Sequence, residues 1–311
     1  MNQDIKVFVI SLKNSKRFHA IKKRLKKLKI KFIKINAING PKYNKKNKLN
    51  KISDTKKIYK NIGREMSPSE IGAAASHLKT YTYIAKNKIN QAIILEDDAY
   101  LSEKICEWIK NKIKSENNEI IGFFAYPGGI IEKKPLRTVL KNIRIHKAKT
   151  HIFNSACYTI NNFTAKKILK ITKGKVIGLP DWPFSTITDS ITLKITIPFM
   201  ALSNDKGVSY LKKSRDEILK SKIQKIKKII PKKIFEIISI IYYLTFLPFI
   251  LRKYKNFNFY VEHFFLKKFY GFINSFTKIY FNQKELYFKE NYYCKDLIGT
   301  LRNVIKYKRY L

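Results

Sequence analysis

Three carboxylates in a row, Glu96-Asp97-Asp98, close the apolar run Gln91-Ala92-Ile93-Ile94-Leu95, and Ala99-Tyr100-Leu101 turns apolar again. Such a run reads as a buried strand that delivers acid to its C-terminal end. Side chains alternate along a strand, which predicts Glu96 and Asp98 on one face and Asp97 on the other. Adjacent carboxylates repel one another and are costly to bury unless a cation shares them. Oxygen ligands two residues apart suit a hard divalent ion such as Mg²⁺ or Mn²⁺, which in turn holds phosphate oxygens. The plainer alternative is a strand ending in a solvated acidic turn.

The element that must position this run lies just upstream. Ser67-Pro68-Ser69-Glu70 is a complete helix start, with Ser67 at the N-cap, Pro68 at the first helical position and Glu70 reaching back in a capping box. The spacing of Ile71, Leu78, Tyr81 and Ala85 predicts a helix that runs to about Ala85 and stops before Asn87-Lys88-Ile89-Asn90. Gly72 to Ser76 are all small, so a neighbouring backbone or a ligand must approach closely there. His77 follows, one of five histidines in the chain, and reads either as a packing residue or as a contact to substrate.

The N-terminus adds Ile5-Lys6-Val7-Phe8-Val9-Ile10-Ser11-Leu12, a β-branched strand, then a basic turn through Ser15 and Arg17 into a helix from His19 to Leu28. A second strand, Phe32 to Ile38, stops at Asn39-Gly40. Strand, helix, strand at this spacing is a βαβ unit and predicts a parallel sheet. Ligands of open α/β sheets sit beyond the carboxyl ends of the strands, so Ser11, Arg17 and the acidic triplet are expected around one crevice.

In that order and spacing the chain resembles glycosyltransferase family 25, the lipooligosaccharide and lipopolysaccharide glycosyltransferases of Gram-negative bacteria. The resemblance rests on Val9-Ile10-Ser11-Leu12 with Ser15 and Arg17, Asn36-Ala37-Ile38-Asn39-Gly40, Ser67 to Gly72, Ser76-His77-Leu78 and Ile94 to Ala99. Tyr158, Ala165 to Leu169 and Pro180-Asp181-Trp182-Pro183 extend it more weakly to about residue 200. Two positions depart: the usual Gly-Cys reads Gly72-Ala73, and an expected Gly-Thr before the tyrosine reads Asn154-Ser155.

The resemblance implies an α/β, GT-A-like nucleotide-binding fold with a mainly parallel central sheet. It also implies transfer of a hexose, galactose first among the candidates, from a UDP-sugar to a lipid-linked saccharide acceptor with inversion. Glu96 and Asp98 are then expected on Mn²⁺ or Mg²⁺, with Ser11, Arg17, Ser76, His77 and Asp97 on the nucleotide sugar. Inversion needs a general base on the acceptor hydroxyl. Asp181 is the expected base, in a Leu-Pro-Asp-Trp-Pro loop whose prolines and indole restrain it, and a loop cap is the competing role.

The 311 residues allow a catalytic domain, drawn at 1–215, and a basic, aromatic-rich, mainly helical C-terminal appendage at 216–311. Cys106, Cys157 and Cys294 lack metal-ligand spacing and read as reduced thiols. With no basic-then-apolar leader pattern at Met1 to Ile5, a cytoplasmic enzyme is expected. The net charge of +43 points to an anionic partner. Lys222 to Ile230 places Ile223, Ile226, Ile229 and Ile230 opposite lysines, and Ile234 to Leu251 is apolar apart from Glu236 and a few hydroxyl residues. This pattern predicts peripheral attachment to the anionic inner-membrane surface, with a true span or a packed helical subdomain as alternatives. The lysine- and asparagine-rich stretch Lys42 to Lys60 reads as a mobile loop near the donor site, a lid or a passive insertion. A basic nucleic-acid-binding protein explains the charge but sets the acidic triplet against phosphate, and no nucleic-acid motif accompanies it. A catalytically silent family paralogue is the third reading.

Overall fold

The computed structural model describes residues 5–45, 48–62, 64–124, 131–132, 134–148, 154–181, 190–203 and 293–298. Strand β1 (Ile5–Ser11) is buried at every position but Lys6, as its β-branched composition requires of a central strand. Helix α1 (Lys16–Lys27) buries Ile21 and Leu25, one turn apart, and turns its lysines outward. Strand β2 (Ile33–Asn36) returns parallel to β1, with Phe8 opposite Ile33 and Ser11 opposite Asn36. Strand β3 (Gln91–Glu96) lies parallel on the other side of β1. The predicted βαβ unit is therefore present.

Beyond β3 the sheet becomes mixed. It continues through β5 (Glu119–Gly122), β6 (Arg137–Leu140), β7 (Ile143–Lys147), β8 (Cys157–Asn161) and β9 (Thr192–Ile197) in the order β2-β1-β3-β8-β5-β9-β7-β6. Strands β1, β2, β3, β5, β6 and β9 run one way, and β7 and β8 run against them. The molecule is thus α/β with a mostly parallel, mixed central sheet. A two-stranded antiparallel sheet joins β4 (Ala99–Leu101) to β10 (Ala201–Ser203) beyond the acidic turn.

The expected loop at Lys42 to Lys60 is instead three short helices, α2 (Gly40–Lys45), α3 (Leu49–Ile52) and α4 (Thr55–Ile62). Leu49, Ile58 and Ile62 are buried in one cluster with Met66, Ile71, Ala74, Ala75, Val176 and Leu179. The few large apolar residues fall on one face, Ile58 and Ile62 at helical spacing, while the lysines that gave the stretch its loop-like composition stay in water. A parallel bridge between Ser53 and Val176 and a hydrogen bond from Asn61 Nδ2 to the Ile177 carbonyl (2.9 Å) tie this layer down.

Helix α5 (Pro68–Lys86) crosses the sheet as predicted, capped at Asn87. Helix α6 (Lys104–Lys110) buries Trp108 edge-on against Phe123, with ring centroids 4.9 Å apart, and α7 (Asn162–Thr172) packs beside α5. The segment Tyr293–Ile298 also belongs to this body: Tyr293 bridges Phe199, Leu297 is fully buried, and Asp296 accepts hydrogen bonds from Ser102 Oγ (2.7 Å), the Glu103 amide (2.8 Å) and Arg24 Nη2 (3.3 Å). The boundary expected at residue 215 leaves these residues outside the catalytic domain, although Arg24, Ser102, Glu103 and Phe199 of that domain hold them. The expected amphipathic helix at 222–230, the apolar run at 234–251 and the aromatic stretch at 257–292 lie outside the described residues. Among the described residues no helix is long and apolar enough to cross a membrane.

Candidate functional site

Strand β3 ends at Glu96, and Asp97 with Asp98 forms the turn into β4, directly across from the turn between β1 and α1. Asp97 is nearly buried and takes three donors from that turn: Ser11 Oγ (2.8 Å), Ser15 Oγ (2.6 Å) and Arg17 Nη2 (2.8 Å). Ser15 occupies the N-cap position of α1 yet makes no side-chain cap, because its hydroxyl is spent on Asp97. Asp98 Oδ2 stands 3.5 Å from Arg17 Nη1 and 3.4 Å from Ser203 Oγ. The cation shared by two of the three carboxylates is therefore the Arg17 guanidinium.

Glu96 faces a different set of partners. Its Oε1 accepts from Ser155 Oγ (2.6 Å) and meets His77 Nε2 at 3.3 Å. The predicted pairing of Glu96 with Asp98 on one face is not what forms: strand periodicity ends at Glu96, and the turn swings Asp98 to the side of Asp97 and Arg17. Burial alone would raise the Glu96 carboxyl, but the hydrogen bonds from His77 and Ser155 and the Arg17 charge outweigh it and hold its pKa below the ordinary value. Among the described residues no three His, Cys, Asp or Glu side chains gather as a metal-binding group.

His77 is buried, and both ring nitrogens are engaged. Nδ1 lies 2.8 Å from Tyr158 Oη, whose oxygen lies 2.7 Å from Tyr81 Oη, and the His77 and Tyr158 rings stack at 24° with centroids 5.8 Å apart. Burial, then the neighbouring Tyr81 hydroxyl, pushes the Tyr158 phenol well above its usual range, so it stays neutral. Its position opposite Ile94 on β8 brings the phenol under the acidic strand end.

The small residues of α5 serve a backbone approach. A Cβ on Gly72 would sit 2.6 Å from the Gly40 amide nitrogen and from the Ile38 carbonyl, and a Cβ on Gly40 only 1.6 Å from the Pro68 carbonyl oxygen. Ser76 is fully buried, and its hydroxyl donates to the Gly72 carbonyl (2.6 Å) and accepts from the Ile38 amide (2.8 Å). Its expected contact to the nucleotide sugar is thus replaced by a bridge that pins the end of β2 onto α5. The capping box forms with both hydrogen bonds, and Arg64 adds a buried two-pronged pair to Glu70 at 2.8 and 2.6 Å. Asp181 is half-buried in the turn after Leu179-Pro180, while Trp182-Pro183 of the expected loop lies outside the described residues. The preceding segment, Val176 to Pro180, closes a cavity of about 30 Å³ against Ala74, His77 and Tyr81. That volume suits a single water rather than a sugar.

Ser11, Arg17, Asp97 and Asp98 thus form one group, and Glu96, His77 and Ser155 a second, joined through the Glu96–Asp97 peptide. Sequence reasoning did not assign roles to Ser15, Tyr81, Ser155, Tyr158 or Ser203. Ser155 was visible as a departure from an expected threonine, but both residues carry the hydroxyl that Glu96 uses.

The sheet collects acidic, basic and hydroxyl groups beyond the ends of β1 and β3, where open α/β sheets bind their ligands. The chain belongs to glycosyltransferase family 25 (LPS biosynthesis protein), whose model matches residues 4–181, and is accordingly a glycosyltransferase. No curated protein matches it. Among solved structures it is similar to a mannose-1-phosphate geranyltransferase from Thermus thermophilus (10% identity over 62% of this chain and 73% of that one, TM-score 0.34). It is also similar to a glycosyltransferase involved in glycosylation of the major capsid of PBCV-1 (11%, 54% and 65%, TM-score 0.27). A third is the inositol-1-phosphate CTP transferase from T. maritima (9%, 66% and 91%, TM-score 0.33). At these scores the three structures carry no functional weight for this chain.

Proposed function

We propose that the protein transfers a hexose, galactose first among the candidates, from a UDP-sugar to a lipooligosaccharide, lipopolysaccharide or related surface-glycan acceptor, with inversion at the anomeric carbon. The observation that carries the reading is the meeting of the family's motifs at one place: Ser11 and Arg17 from the first βα turn and Glu96-Asp97-Asp98 from the end of β3. Arg17, about one third exposed at this edge, is the side chain available to a diphosphate.

A divalent cation fits the site in a form narrower than first expected. Of the two residues first expected on the ion, Glu96 is held by His77 and Ser155, and Asp98, beside Arg17 in the turn, is the one proposed to hold Mn²⁺ or Mg²⁺. One carboxylate with substrate phosphate oxygens and water is a common way to bind Mg²⁺. Such an ion supplies charge stabilisation for the departing nucleotide. Asp181 remains the proposed base on the acceptor hydroxyl. Attachment to the anionic inner-membrane surface, where a lipid-linked acceptor resides, is proposed for the lysine-rich stretch from Lys222.

A panel of UDP-sugars offered to purified protein with Mn²⁺, with release of UDP as readout, tests the proposal. Turnover of one donor that falls at least tenfold on chelation, and in Asp98→Asn, is the expected result. Turnover of no donor, or an Asp98→Asn enzyme with an unchanged metal titration, rejects the donor class or the metal site respectively.

A further inference from the structure

The described residues hold one chain of polar groups, buried except at its outer end, whose purpose the fold does not require: Tyr81, Tyr158, His77 and finally Glu96, with Ser155 beside His77 on the same carboxylate oxygen. We infer that His77, braced by Tyr158 and Tyr81, is a positioning residue that fixes the Glu96 carboxylate for contact with a sugar hydroxyl in the crevice. The inference rests on the glycosyltransferase reading and moves both residues from their expected roles, His77 away from direct substrate contact and Glu96 away from the metal.

The direction of each hydrogen bond follows from chemistry. A carboxylate only accepts, so at the 3.3 Å contact the proton sits on His77 Nε2. In the neutral imidazole Nδ1 then accepts from the Tyr158 hydroxyl at 2.8 Å, and the Tyr158 oxygen accepts from Tyr81 at 2.7 Å. Each donor has an acceptor, and the ring is held in one tautomer, as a group that orients another must be. Ring stacking on Tyr158 removes the remaining rotational freedom of the imidazole. Ser155 Oγ reaches the same Oε1 as His77 from β8's side, so both donors load one oxygen and set the plane of the carboxylate.

Exposure separates the supports from the group they serve. Tyr81, Tyr158 and His77 are 1%, 0% and 2% exposed, whereas the Glu96 side chain is 27% exposed at the C-terminal end of a central strand. Only the last member of the chain can touch a ligand. A carboxylate that must accept a hydroxyl at one angle gains a fixed direction from the buried residues behind it. Hexoses offer several hydroxyl donors, and such contacts discriminate between sugars more sharply than apolar ones.

The test uses the full chain in five variants, Tyr158→Phe, His77→Gln, His77→Ala, Glu96→Gln and the double His77→Gln/Glu96→Gln, with the donor that wild type turns over. Tyr158→Phe, which deletes one oxygen, should lower kcat by about tenfold to a hundredfold with the donor KM within about twofold, the scale seen when a supporting hydrogen bond is removed. His77→Gln retains a donating amide and should fall less than His77→Ala. The double variant should be no slower than Glu96→Gln alone, because a residue acting only through Glu96 has nothing left to act on. Imidazole nitrogen NMR gives an answer independent of turnover: one ring of wild type should carry its proton on Nε2, that signal should vanish in His77→Gln, and its Nδ1 partner should shift in Tyr158→Phe. If wild type turns over no UDP-sugar, the functional reading fails while the spectrum still decides the hydrogen-bond order. A His77 ring protonated on Nδ1 alone, additive losses in the double variant, or wild-type kcat in a folded Tyr158→Phe would each overturn the inference.

Discussion

The two halves of the sheet are built on different principles. Strands β2, β1 and β3 pair in parallel and are linked, in chain order, by helical crossovers on the way from one strand to the next. Strands β8, β5, β9, β7 and β6 interleave segments from residue 119 to residue 197, with β8 reversed between β3 and β5. The site lies at the seam. Ser11, Arg17, Asp97 and Asp98 come from the sequential half, while Ser155 and Tyr158, which hold Glu96 and His77, come from the interleaved half. In the proposed reading the first half brings the charged groups to the crevice, and the second adds the Ser155 and Tyr158 hydroxyls behind them.

The comparison predicts where the molecule breaks. Gly40→Ala attacks the sequential half at its tightest point, where the new Cβ would stand 1.6 Å from the Pro68 carbonyl oxygen. Neither backbone can give way there, so a loss of about 4 kcal/mol or more, or no folded protein at all, is expected in denaturant unfolding. Next, Asp181→Asn should lower kcat by about a hundredfold to ten-thousandfold with UDP affinity retained by calorimetry, as for a group acting on the acceptor proton. Unchanged kcat would confine Asp181 to a turn-capping role and leave the acceptor chemistry to the seam itself.

Leu297→Ala probes whether the far end of the chain supports the interleaved half. It is fully buried beside a segment bridged to Phe199, so truncation should cost about 2–5 kcal/mol in the same unfolding assay. For the same reason a protein cut after Ser221 is expected to be unstable, and release from anionic vesicles must be tested on a chain that keeps Tyr293–Ile298. The smallest effect belongs to Ser67→Ala, which loses one capping hydrogen bond and should cost about 1 kcal/mol, because Arg64 still secures Glu70. A loss as large as that of Leu297→Ala would show that the cap, and not the arginine, carries the start of α5.

Legibility follows the same seam. Ser67, Pro68 and Glu70 declare a helix start through local chemistry, and the strand, helix, strand order from Ile5 to Asn36 needs no distant partner to be read. The crevice and its two charge types were therefore visible. What the sequence hid was direction. Strand alternation carried past Glu96 placed Asp98 beside it, but two residues of turn rotated Asp98 to Arg17. Lysine density in Lys42 to Lys60 masked three helices whose few apolar side chains are nonetheless spaced to bury one face. Of Glu96's partners, Ser155, fifty-nine positions away, is brought in by the β3–β8 register and His77, nineteen positions away, by α5, and no local pattern encodes either placement.

The bridge between Phe199 and Tyr293 makes neighbours of two positions far apart in the chain. Because these two positions already lie side by side, any connection between them starts and ends at one place on the body. Closing such a connection has an entropic cost that grows only with the logarithm of its length. Lineages could therefore lengthen, shorten or exchange it while the crevice stays assembled, and a protein engineer could replace it with a brief glycine-serine connection.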